Sequence, residues 1–288
     1  MGPTIRTRDG LVLQRRDWPS GEARGTIVIV HGLGEHAGRY AHVAARLNAS
    51  GWSVVGVDQR GHGASPGERG RLAASDDLLF DLAAVLDRVR GESAGPLVLL
   101  GHSLGGLVAA RFVAGALERP PPAWSRDVVD ALVLSSPALA VGMSAAQRAL
   151  LATLGPLTPN LAVGNGLDPA SISRDPAVVA AYRADPLVHD RIAPRLARFI
   201  ADTGAEVLAL APRWRVPTLL LYAGADRLVL PRGSASFAAA APSGVVTARE
   251  FATLFHEIFN EPERDEVLSV LTRWLDTLTF SSPTRSPT

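Results

Sequence analysis

Ser103 is the residue most clearly placed for chemistry. It lies in Gly101-His102-Ser103-Leu104-Gly105-Gly106, which fits G-x-S-x-G. The run Pro96–Gly101 before it reads as a buried strand, and Leu104–Leu117 after it reads as a helix. Strand, sharp turn and helix are the context this motif requires. A side chain at either flanking Gly would clash with the neighbouring strand or helix. The turn strains the Ser backbone and lifts its hydroxyl above the sheet. The Leu104 N–H enters the field of the helix N-terminus. A hydroxyl presented in this way becomes a nucleophile once a base takes its proton.

The partners of such a serine follow it in the order acid, then His. Of His31, His36, His42, His62, His102, His189 and His256, only His256 comes after the last core strands. It stands in the loop Phe255-His256-Glu257 and is the expected base. His189 precedes any credible acid and is read as a surface or packing residue. Asp226 alone among the intervening carboxylates directly follows a buried strand, Thr218–Gly224. Strand ends are where catalytic groups collect in open sheets, so Asp226 is the expected acid. Asp202 and Glu206 fall in a predicted helix and are poor rivals.

Acyl transfer also needs donors for an oxyanion. His31-Gly32-Leu33-Gly34-Glu35-His36 follows the strand Thr26–Val30, and its glycines let the backbone approach a substrate. The N–H groups of Leu33 and Leu104 are the expected oxyanion hole. His31 and His36 read as turn-stabilising residues, because no further ligands stand at metal-like spacing. No metal is expected. Asp58-Gln59-Arg60-Gly61-His62-Gly63-Ala64-Ser65 is Gly-rich but lacks the Lys of a phosphate loop, and reads as a rigid turn.

Positioning these residues takes alternating strands and helices. Thr26–Val30, Ser53–Asp58, Pro96–Gly101, Asp130–Ser136 and Thr218–Gly224 are short apolar runs suited to parallel strands buried on both faces. Val245–Phe251 is a weaker last strand. Leu11–Arg16 alternates and, with the turn signal Ser20-Gly21, predicts an antiparallel edge hairpin leading into Thr26. Helices are expected over Tyr40–Asn48, Asp76–Val89, Leu104–Leu117 and Glu263–Leu278. The pattern implies a doubly wound, mostly parallel α/β sheet with helices on both faces. From about Ala140 to Pro212 no strand is readable, only helical pieces punctuated by prolines. The expected division is a core over residues 1–139 and 213–280, a helical cap over 140–212, and a loose tail over 281–288.

Composition excludes several rival chemistries. The 288 residues carry a formal net charge of +1 with no basic block, which argues against a nucleic-acid partner. There is no Cys, so disulfide frameworks and thiolate chemistry are out. All 29 basic residues are Arg, which removes Schiff-base and general-base lysines. Met1-Gly2-Pro3-Thr4-Ile5-Arg6-Thr7 has no apolar stretch of a secretory signal, and no run is long enough to span a bilayer. A soluble, cytoplasmic protein is expected. Oligomeric state is not legible.

His31 to His36 with Arg39-Tyr40, Asp58 to Ser65, Gly101 to Gly106, Gly224-Ala225-Asp226 and His256-Glu257 together resemble the monoglyceride lipase/lysophospholipase branch of the α/β-hydrolases. Ile172 to Asp175 through Tyr182, Asp185-Pro186-Leu187 and His256 to Arg264 resemble its bacterial monoacylglycerol lipases. The likeness spans roughly Leu11 to Leu278. It implies a cofactor-free carboxylester hydrolase with the triad Ser103, Asp226 and His256, acting on a small lipid ester. In monoglyceride lipases the Glu and Arg of the oxyanion motif lie near the glycerol end, which corresponds to Glu35 and Arg39. Structural hydrogen bonds at the first helix start are the alternative role for that pair. Animal members have a second His three residues after the catalytic one, where this chain has Phe259. An apolar cap would bury an acyl chain and touch a membrane surface transiently. Within the class, a lysophospholipase, a broad carboxylesterase, an acyltransferase or a perhydrolase would keep the same triad. Outside it, the alternative is a hydrolase-fold receptor.

Overall fold

Successive residues of a strand face opposite ways, and this period of two organises the molecule. The computed structural model describes residues 4–280, and the tail expected over 281–288 lies outside the described residues. In chain order the elements are β1 (Thr4–Arg6), β2 (Val12–Trp18), β3 (Thr26–Val30), α1 (Ala41–Ala49), β4 (Ser53–Val57), α2 (Asp77–Glu92), β5 (Leu97–His102), α3 (Leu104–Gly115) and β6 (Ala131–Ser135). Then come α4 (Ala145–Leu154), β7 (Val163–Gly164), α5 (Pro176–Ala184), β8 (Arg191–Ile192), α6 (Pro194–Leu210), β9 (Thr218–Ala223), α7 (Pro231–Ala240), β10 (Val246–Phe251) and α8 (Arg264–Thr277).

Eight strands form one sheet in the order β1-β2-β4-β3-β5-β6-β9-β10. From β4 to β10 every pairing is parallel. Val28, Val30, Leu97, Leu99, Leu132 and Leu134 point to one face, where α2, α3, α6 and α7 bury their apolar sides. Ile27, Ile29, Val98, Leu100, Val133 and Leu221 point to the other, under α1 and α8. Both faces are therefore dry. This is why the central strands read as continuous apolar runs rather than as alternating ones.

Three expectations need correcting. β2 does not pair with β3. It hairpins with β1 through a turn at Gly10, where φ is +90°, and its other edge runs antiparallel to β4. The two edges of β3 are already taken by β4 and β5. The 140–212 segment is not strand-free, because β7 and β8 form a two-residue antiparallel ladder. α7 was not foreseen. Its Pro-Arg-Gly-Ser-Ala-Ser-Phe-Ala-Ala-Ala sequence has weak periodicity, and Phe237 against Trp214 anchors it (ring centroids 4.8 Å apart). The last helix of the segment, α6, packs against α3, and its Leu196, Phe199 and Val207 are buried with the sheet residues. No helix among the described residues is long and apolar enough to cross a membrane.

Candidate active site

Ser103 stands between β5 and α3 with φ +53° and ψ −118°, a backbone state that non-glycine residues rarely adopt. The surrounding glycines impose it. A Cβ on Gly101 would run into the Gly105 backbone, and one on Gly105 into the carbonyls of Val30 and His31. The helix can pack this close to the strands only because those side chains are missing. Ser103 is held from behind as well, its N–H donating to Ser135 O at 3.0 Å.

The Ser103 hydroxyl lies 2.8 Å from His256 Nε2. His256 Nδ1 lies 2.7 Å from Asp226 Oδ2. Asp226 Oδ1 accepts the N–H groups of Leu228 (2.8 Å) and Val229 (3.0 Å), so both carboxylate oxygens are fixed. Asp226 sits in the turn after β9, His256 in the loop after β10, and Ser103 after β5. Parallel strands deliver all three to the carboxyl ends of the strands, on one side of the molecule. Burial opposes charge on His256, but the Asp226 carboxylate and its hydrogen bond, helped by Glu257 and Glu35, raise its pKa. Burial likewise disfavours the Asp226 anion, while the facing imidazole and the two backbone donors lower its pKa.

The loop after β3 comes over Ser103. A Cβ on Gly32 would stand 3.2 Å from the Ser103 Cβ. Gly32 donates its N–H to Glu35 Oε1 (2.6 Å), which sets the orientation of the loop that carries Leu33. Leu104 opens α3, where first-turn N–H groups have no acceptor within the helix. Glu35 and Arg39 join each other at 2.7 Å. His31 donates from Nδ1 to Gly32 O (2.8 Å) and accepts the Gln59 N–H on Nε2 (3.0 Å). His36 Nδ1 accepts the Gly38 N–H, and its Nε2 reaches Asp185 Oδ2 at 2.9 Å, joining the loop after β3 to the 140–212 segment.

A cavity of about 310 Å³ opens above Ser103 and His256. Gly32, Leu33, Glu35, His102 and Glu257 line its floor. Leu167, Ile172, Tyr182, Val188 and others from the 140–212 segment form its roof. Several of these residues have no sequence motif to announce them. His102, its Nδ1 3.0 Å from Ser135 Oγ, lies 4.8 Å ring to ring from His256. Burial, then the neighbouring His256, pushes the His102 pKa down to about 4, so this ring stays neutral. His189 lines the cavity, its ring lies 4.7 Å from that of His62 at a 46° tilt, and it donates its N–H to Gly34 O (2.8 Å). Phe259 is buried beneath α8 and does not line the cavity. Glu257 does, paired with Arg39. Its advance signals are adjacency to His256 and its place in the His256-Glu257 resemblance.

The family model described as serine aminopeptidase, S33, matches residues 21–263. The chain is 38% identical over 261 residues to a monoacylglycerol lipase of Mycolicibacterium smegmatis, covering 89% of this chain and 90% of that one. It is 30% identical over 262 residues to a phospholipase of Bacillus subtilis, covering 90% and 98% respectively. Among solved structures, the monoacylglycerol lipase of Paleococcus ferrophilus matches with a TM-score of 0.81 at 37% identity, over 91% of this chain and 98% of that one. With this sheet, this elbow and these likenesses, the chain belongs to the monoacylglycerol lipase family of the α/β-hydrolases.

Proposed function

We propose that the protein hydrolyses carboxylic esters of lipids, with monoacylglycerol as the substrate, releasing glycerol and a fatty acid. The observation that carries this reading is the continuous path from Ser103 Oγ through His256 to Asp226 at the floor of a covered cavity. His256 takes the Ser103 proton as Ser103 attacks the ester carbonyl. Asp226 holds the imidazole tautomer and stabilises the imidazolium. The Leu33 and Leu104 N–H groups stabilise the tetrahedral oxyanion, a contribution of about 10²–10³ in rate per donor. Glycerol leaves with the proton from His256, and water then hydrolyses the acyl-enzyme by the reverse roles. No metal or cofactor enters this mechanism.

Residues 140–212 act as a cap over a core of 1–139 and 213–280. The cavity supports a neutral head group. Glu35, Asp168, Asp185, Asp190 and Glu257 line it, against one lining Arg, Arg183. The exposed Leu150, Leu157, Leu161 and Val163 support transient contact of the cap with the surface of a membrane by an otherwise cytoplasmic protein. A second reading, lysophospholipase, is favoured by the likeness to the Bacillus phospholipase.

One panel separates these readings. Monoacylglycerol, lysophosphatidylcholine, triacylglycerol and p-nitrophenyl esters are compared with wild type and Ser103→Ala. The expected result is the highest kcat/KM for monoacylglycerol and fluorophosphonate labelling that Ser103→Ala abolishes. Full esterase activity in Ser103→Ala would overturn the assignment. Single-turnover release with a trapped acyl group would favour a receptor.

A further inference from the structure

Glu257 follows His256 directly in the chain, and only 6% of it is exposed. The Arg39 guanidinium forks onto it, Nη1 to Oε1 at 2.6 Å and Nη2 to Oε2 at 2.7 Å. The same Nη1 reaches Glu35 Oε2 at 2.7 Å. Glu35, 3% exposed, accepts from Gly32 N–H (2.6 Å) and Tyr40 O–H (2.7 Å) on its other oxygen. Hydrogen bonds thus run unbroken from the backbone of the oxyanion loop to the residue beside the base. Glu257 is held on its remaining sides too. Asn260 Nδ2 donates to Oε2 (2.8 Å), and the Glu257 N–H donates to Ile172 O of the cap segment (2.8 Å).

The charges in this cluster do not cancel. Two buried carboxylates share one guanidinium, leaving a surplus negative charge next to the imidazole. A buried surplus charge is costly unless a counter-charge appears beside it. The counter-charge arises during the reaction, when His256 becomes imidazolium. We propose that Glu257 is a positioning residue of the reaction. Through Arg39 and Glu35 it fixes the oxyanion loop relative to His256, and its charge supports the imidazolium. Glu35 and Arg39 then serve the site by placement, with their polar atoms engaged by protein rather than by substrate. This inference rests on the hydrolase reading above.

The groups facing His256 are Asp226 from the β9 turn, His102 from the end of β5, Glu35 from the oxyanion loop and Glu257 from its own loop. His102 stays neutral, so charge changes at the Glu257 cluster are read directly at His256.

The test measures kcat, KM and the pH profile of kcat/KM with p-nitrophenyl butyrate for wild type and three variants. Glu257→Gln keeps the shape and removes the charge. The expected result is a kcat loss of about tenfold with KM within about twofold, as for a misplaced catalytic group. Its acid limb should move about half a unit to lower pH, since the imidazolium loses a favourable charge. Arg39→Met, which exposes both carboxylates to His256, should move the limb the opposite way while also lowering kcat. Glu257→Asp should return the limb toward wild type. A merely structural ion pair would change melting temperature and leave the limb in place. Wild-type kcat and an unmoved limb in Glu257→Gln would overturn the inference. Absence of ester hydrolysis and fluorophosphonate labelling in the wild type would instead overturn the hydrolase reading beneath it.

Discussion

The Asp226 carboxylate meets His256 Nδ1 at 2.7 Å while its second oxygen is gripped by two consecutive backbone N–H groups, those of Leu228 and Val229. The acid is therefore clamped to its own turn and cannot swing away from the imidazole. Asp226→Asn would preserve that clamp and reverse the preferred tautomer of His256. A kcat loss on the order of 10⁴ is expected, with the fold unchanged by circular dichroism. A loss of less than about tenfold would contradict the assigned role of Asp226.

The pH dependence of activity follows from His256. Its burial lowers the pKa, but the Asp226 charge and hydrogen bond, with Glu257 and Glu35, outweigh that and raise it above the ordinary 6.5. Activity requires the neutral imidazole, so kcat/KM should rise through a midpoint above that value and then level off. A midpoint below it, measured with a neutral ester, would contradict this electrostatic balance.

Stability should depend on pH in the acid range. His102 and His189 are both held down to about 4, chiefly by burial, with the His256 and Arg69 charges next in importance. His31 and His62 are lowered as well, again mainly by burial. A folded pKa below the unfolded 6.5 means that the unfolded chain takes the proton first. The associated stability is intact above about 6.5 and drains away as the pH falls toward 4, at up to about 3 kcal/mol for His102. His256 works in the other direction, adding stability below 6.5 that is lost as the pH rises through its raised value. With His42, which burial also lowers, five lowered imidazoles outnumber one raised imidazole. Urea unfolding should give a lower stability at pH 5 than at pH 7.5, and His62→Asn should flatten that difference.

Gly34 joins the loop after β3 to the 140–212 segment. Its φ is +78°, its carbonyl accepts the His189 N–H at 2.8 Å, and a Cβ there would press into the His189 carbonyl. Gly34→Ala combines left-handed strain of about 1–2 kcal/mol with that clash. Lower melting temperature and lower kcat/KM are expected together. Wild-type values for both would show that the contact is dispensable.

The cap leucines can be tested without touching the site. Leu157 is 76% exposed and Leu161 59% exposed. The double variant Leu157→Ser/Leu161→Ser should slow hydrolysis of a long-chain monoacylglycerol in vesicles several-fold. Hydrolysis of dissolved p-nitrophenyl acetate should not change. Equal losses on both substrates would point to damaged packing instead of a lost membrane contact.

The parallel core was legible because its strands are buried on both faces and therefore carry an unmistakable apolar signal. Thr26–Val30 is found as read, and Ser53–Asp58 and Thr218–Gly224 each lose only their last residue. The elbow was legible because close packing of α3 on β5 leaves no room for anything but glycine. The path through Asp226 and His256 follows chain order. Edge pairing was not legible, since nothing in Val12–Trp18 says which neighbour it will meet. The roof of the cavity was hidden for another reason. Tyr182, Asp185 and His189 lie on a segment whose short helices and two-residue strands lack a long period. Their meeting with Arg39, His36 and His62 is set by tertiary contacts alone. Glu257 falls within the His256-Glu257 resemblance, but its partner Arg39 lies 218 positions away in the chain.

The ladder of β7 with β8 has a consequence for redesign. Val163 pairs with Ile192 and Gly164 with Arg191, which closes residues 165–190 into a loop with a narrow, hydrogen-bonded neck. Every cavity residue supplied by the 140–212 segment, from Asn165 to Asp190, falls inside that loop. Ser103, Asp226 and His256 all fall outside it. On the proposed function, selectivity and reactivity would be encoded in separable stretches of the chain, and the loop could be exchanged as an insert, neck to neck. Transplants from relatives with other ester preferences could change what is accepted while keeping the same reacting groups, provided that the incoming loop still meets Gly34, His36 and Glu257.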